Sequence, residues 1–165
     1  MLKKIGYVLL AAVVIIQFIQ PSKNKSEGTS PNHINTKFAM NDDVAIVLKT
    51  ACYDCHSNNT SYPWYSMIQP VGWWLQNHVK EGKGELNFDE FATYSAKKQK
   101  HKLEEIGEAV TDGWMPLDSY KWIHKEAVLT PEQKAAVKKW VDQSLEQFPP
   151  SEPEKQSDNN KTESN

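Results

Sequence analysis

Both cysteines of this chain fall inside one run of five residues, Cys52-Tyr53-Asp54-Cys55-His56. A disulfide across two intervening residues would close a small, strained loop that staples almost nothing. Zinc would ask for a second Cys or His pair at short spacing, and the sequence supplies none. A thioredoxin-like redox pair would need a βαβ context, for which there is no pattern. The remaining chemistry is two thiols spaced to add to the two vinyl groups of one porphyrin, with His56 delivered to an axial position of the iron. The motif therefore asks for one covalently attached haem c and a fold that wraps a large flat ring. Burying such a ring also compensates for a modest core.

The flanks bound that fold. Lys3 and Lys4 precede an apolar run from Ile5 to Ile19, broken only by Gln17. A positive start followed by such a run reads as an export signal, so residues 1–20 are a signal anchor or a signal peptide. As a helix the run spans roughly 22 Å, against about 30 Å for a bilayer's hydrocarbon core. No Ala-x-Ala site follows it, only Gln20-Pro21, and no Cys is close enough for lipidation. The expectation is a retained single-pass anchor in a bacterial inner membrane, with Lys3 and Lys4 cytoplasmic and the rest on the periplasmic side. Secretion to the periplasm after cleavage is the alternative. Residues 21–37, rich in Ser, Asn, Lys and Pro, read as a tether with a solvated His33. Residues 149–165 read as a disordered tail, leaving 38–148 for the haem-binding domain.

Within that domain every signal is helical. Asn41 or Asp42 can cap a helix whose Val44, Val47 and Leu48 share a face and which leads into the cysteine motif. Pro70 suits the first turn of a helix carrying Trp73, Trp74 and His78, stopped near Gly82 and Gly84. Ser95 opens a charged helix with Leu103, Ile106 and Val110 on one side, ending at Gly113. Thr130-Pro131-Glu132-Gln133 is a helix start, with Val137, Trp140, Val141 and Leu145 at helical spacing behind it. No stretch alternates with period two, so the fold class is all-α: a small cytochrome c-like helical domain with an N-terminal hydrophobic helix. The formal net charge is −2, which leaves no basic footprint for nucleic acid.

The second axial position is less constrained: it falls to one of five residues or to no protein ligand at all. Met115 lies in Asp112-Gly113-Trp114-Met115-Pro116, where Pro116 stiffens the backbone and denies helix continuation, so a loop can aim the thioether. His78, one turn from Trp74, is the next candidate. His124 sits in a short segment facing solvent, His101 lies among lysines, and Met67 follows the motif closely enough to pack beside the ring instead. Most of Tyr62, Trp64, Tyr65, Trp73, Trp74 and Trp114 read as core packing. The chain has no Arg, so haem propionates would fall to Lys, to Trp and Tyr donors or to backbone N–H groups.

The run Cys52-x-x-Cys55-His56, Ser57-Asn58-Asn59-Thr60, Tyr62-Pro63-Trp64-Tyr65 and Gln69-Pro70-Val71-Gly72-Trp73-Trp74 resembles a family of small bacterial haem-binding domain proteins. His78-Val79-x-Glu81-Gly82-x-x-Glu85-Leu86-Asn87-Phe88 and Met115-Pro116-Leu117 extend the resemblance over about residues 38–145. It implies an exported domain with a covalently bound haem. The order of the motifs is also distantly similar to class I cytochromes c, in which the Met is the distal ligand and the first and last helices cross. This chain differs by a long Trp- and Lys-rich insertion between the two ligands. Three functions compete: one-electron transfer to redox partner proteins, a peroxidase-like enzyme with an open distal side, and a haem-based sensor acting through a separate partner.

Overall fold

The computed structural model describes residues 1–149, and among them the chain is all-helical, with seven helices and no strand. Helix α1 (Leu2–Ile16) is followed by α2 (Asp42–Ala51), α3 (Tyr53–His56), α4 (Val71–Glu85), α5 (Ala96–Asp112), α6 (Asp118–Lys121) and α7 (Pro131–Leu145). Short 3-10 helices at Ile34–Thr36, Trp64–Met67, Phe88–Thr93 and Lys125–Ala127 join them. The tail expected over 149–165 lies, but for its first residue, outside the described residues.

Capping chemistry sets the boundaries that matter. Asn41 is the cap of α2, its side chain accepting from Val44 N at 3.0 Å, while Asp42 begins the helix. Ser95 caps α5, and Gly113 ends it in the left-handed region at φ 79°. Thr130 and Gln133 form a reciprocal capping box at the start of α7. Helix α4 ends at Glu85, one residue past Gly84 and near the stop expected from the two glycines. Gly82 has a different task, because a Cβ there would lie 2.8 Å from the Cys55 carbonyl oxygen. It lets α4 press against the cysteine motif.

Helices α2, α5 and α7 pack together around one core of Val44, Val47, Leu48, Leu103, Val137 and Val141, all nearly sealed from solvent, with Phe88 and Phe91 beside them. Gly107 brings α5 close to α7, where an added Cβ would meet Val141 at 3.3 Å. The first and last helices of the domain touch, as the cytochrome likeness implies, and Trp140 Nε1 donates across to Ala39 O at 3.1 Å.

Two expectations for the N-terminal segment fail. His33 is 8% exposed, not solvated, and its Nδ1 accepts from Asn35 N to cap a turn that buries Ile34. The segment 21–37 is also pinned along the domain. Asn24 donates to Ser57 O and Thr60 Oγ1, its own carbonyl accepts from Thr60 N, and Asn32 O accepts from Ala92 N. Polar residues read as tether composition are spent on fixed hydrogen bonds instead. The aromatic residues depart as well: Trp64, Trp73, Trp74 and Trp114 are exposed, and Trp140 is the indole buried in the core.

Candidate haem site

The cysteine motif is a direct extension of α2. Cys52 closes α2, breaks helical geometry at φ −124°, and starts α3, which carries Cys55 and His56. Asp54, between the two thiols, fixes this short helix. Its Oδ1 accepts from Ser61 N at 2.9 Å and its Oδ2 from Tyr120 OH at 2.8 Å, while its carbonyl accepts from Thr60 Oγ1 at 2.7 Å. The motif is thereby tied to both the following loop and α6. Asp54 and Tyr120 were not singled out from the sequence, since a spacer in Cys-x-x-Cys carries no signal of a partner 66 residues away.

His56 is held by a second hydrogen bond of clear consequence. Its Nδ1 lies 3.0 Å from Leu86 O and must donate, which leaves the Nε2 lone pair free to bind a metal. Burial lowers the ring's pKa from its ordinary value, with the Leu86 and Gly82 carbonyls opposing part of that, which favours the neutral imidazole. Burial also pushes the Cys52 thiol up to about 12 and the Cys55 thiol up to about 11, with Cys55 and Asp54 respectively adding repulsion. In the folded chain both thiols carry their protons at neutral pH.

These groups face a cavity of about 490 Å³ with mainly apolar walls. Cys52, Cys55, His56, His78 and Met115 all line it, together with Leu86, Phe88, Ile106, Ala109 and Val110 from the packed helices. A volume of this size belongs to the range of about 300–1,000 Å³ in which cofactor-sized ligands are held. Met115 arrives as expected from the loop after α5, its backbone N–H donating to Ala109 O at 3.3 Å. Lys102 is the one cation among the described lining residues, bonded to Glu105 at 2.6 Å and facing Glu85 at 3.7 Å. Glu81 and Glu85 stand on the solvent-facing part of the wall.

The other candidates separate cleanly. His78 lines the cavity from α4, and its Nδ1 donates to Trp74 O at 2.9 Å, so its Nε2 is also available. His124 does not reach this cavity, nor does it face solvent freely. It stacks on Tyr120 at 4.2 Å, its Nε2 bonds Tyr65 OH at 2.9 Å, and both line an adjoining cavity of about 90 Å³. His101 is on the surface beside Glu105, and Met67 is exposed away from the cavity.

An apolar slot with two free thiols, a neutral imidazole whose outer nitrogen is unpaired, and a thioether has the donor set a haem requires. No curated protein and no solved structure matches the chain. A family model described as a haem-binding domain does match, over residues 11–143, and the chain belongs to that family.

Proposed function

We propose that the chain holds one haem c, which Sγ of Cys52 and Cys55 would bond and whose iron His56 and Met115 would hold. In this reading it carries single electrons on the periplasmic side of a bacterial inner membrane, held there by α1. The observation that carries the reading is that all four groups open onto the same cavity of about 490 Å³. Haem iron with His and Met ligands supplies a one-electron couple of comparatively high potential.

The chain's own residues then have definite tasks. Leu86 O orients His56 and raises the basicity of its free nitrogen. Leu86, Phe88, Ile106 and Val110 keep water from the ring and lower the local dielectric. Lys102, with the Trp114 indole N–H beside it in the lining, would meet propionates in a protein without Arg. Glu81, Glu85 and Glu105 outnumber Lys102 around the cavity, and this negative balance would favour the more positive, oxidised state of a bound haem.

His78 supports a second ligand set, because it shares the cavity and its outer nitrogen is free. One set of spectra separates the readings. Matured holoprotein is expected to give a c-type pyridine haemochrome and a weak far-red ferric band, lost in Met115→Ala and kept in His78→Ala. The opposite pattern assigns the ligand to His78, and a high-spin ferric spectrum favours the peroxidase-like enzyme. Colourless protein with the mass of the bare chain ends the proposal.

A further inference from the structure

Helix α1 buries none of its residues against the domain, yet it is not loosely joined to it. Gln17, the one polar interruption of the apolar run, is paired with Gln69. Its Nε2 donates to Gln69 O at 3.2 Å and its Oε1 accepts from Gln69 N at 2.9 Å. Gln20 Nε2 donates to Met67 O at 3.0 Å, and Trp73 Nε1 donates to Ile19 O at 2.8 Å. The receiving loop is tight: Gln69 is buried, and a Cβ on Gly72 would collide with the Ser66 carbonyl. The base of α1 is therefore a fixed joint.

Around this joint stands an apolar collar open to solvent. Phe18, Trp64, Met67, Ile68, Val71 and Trp73 are all exposed, Trp64 at 78%. No Asp, Glu or Lys occurs between Cys55 and Val79, although 24% of the chain is charged. Charge is excluded from the one segment that surrounds the joint. The next cations along the N-terminal segment, Lys23 and Lys25, lie over the Tyr62 ring at 5.6 and 5.8 Å.

We infer that this collar rests in the interfacial layer of a lipid bilayer, with Trp64 and Trp73 at headgroup depth. The inference depends on the proposal that α1 is the membrane anchor. No helix among the described residues is long and apolar enough to cross a membrane by itself. At 15 residues α1 reaches about 22 Å, against about 30 Å of hydrocarbon. A short helix on a rigid joint denies the domain any stand-off, so the surface beside the joint is drawn into the interface. Trp and uncharged apolar side chains are what that layer accepts, and they are what is found. A second protein would have to approach this surface beside a helix embedded in lipid.

The test uses the full, matured and reduced protein, labelled with 5-fluorotryptophan, in nanodiscs of phosphatidylcholine and phosphatidylglycerol containing a gadolinium-chelate lipid. Loss of the Trp64 and Trp73 fluorine signals with retention of that of Trp140, buried in the core, is the expected result. The double variant Trp64→Lys/Ile68→Lys should restore the Trp73 signal while the protein stays in the disc. If the protein is retained but the collar signals survive, the anchor stands and the docked collar is wrong. Failure to enter discs at all removes the anchor and the collar with it. Collar signals that ignore gadolinium but shift with the number of chains per disc would assign the surface to a second copy and overturn the inference.

Discussion

The α2–α5–α7 side of the molecule and the side built from residues 55–79 and 112–128 use apolar residues in opposite ways. On the first, Leu48, Leu103, Val137 and Val141 interlock and are sealed from water. On the second, Trp64, Trp74, Trp114 and Trp122 are exposed, and Cys55, His78 and Met115 line cavities. One side completes its own core. The other turns its apolar side chains to solvent and to the cavities.

That contrast can be broken by substitution. Leu48→Ala, in the closed core, should cost about 2–5 kcal/mol by removing buried methyl groups and leaving a cavity, read as a lower midpoint in denaturant. Gly82→Val tests the seam between the two sides. Its side chain would press on the Cys55 carbonyl, costing about 1–3 kcal/mol and reducing the fraction of chains that carry haem, measured by absorbance per protein.

A pH scan of the haem-free protein sharpens the same boundary. The Cys52 thiol ionises near 9.0 when unperturbed and at about 12 in the fold. An acid whose folded pKa is raised binds its proton more tightly in the folded state. Its share of stability is therefore full below about pH 9 and is lost as pH rises towards 12, at up to about 1.4 kcal/mol per pH unit. Unfolding midpoints at pH 8, 9 and 10 check the sign, and a flat profile would show Cys52 to be open to water in the haem-free fold. The smallest effect belongs to the open side. Trp122→Ser, at a residue 73% exposed, should change stability by no more than about 0.5 kcal/mol. A loss of core size there would mean that the exposed aromatics pack after all.

The domain's core elements and most of its caps could be read from residue order because their causes are local. Asn41, Ser95, Gly113 and Thr130 act on backbone groups within a few residues, and helical periodicity marks the faces that become the core. Trp64, Trp73 and Trp74 misled for the converse reason: an indole has the same composition value whether it fills a core or stands exposed.

Sequence by itself determined the helical class, the family, and the pairing of two thiols with His56, since spacing along a chain fixes what one short helix can present. Tertiary structure alone decided that Met115 and His78 share a cavity with that motif while His124 does not. It also decided that Tyr120 clamps Asp54 and that Leu86 O frees the outer nitrogen of His56. Each of these joins residues 22 to 66 positions apart, and no local pattern encodes such a meeting. Only the packing of α4, α5 and α6 around the motif brings them together.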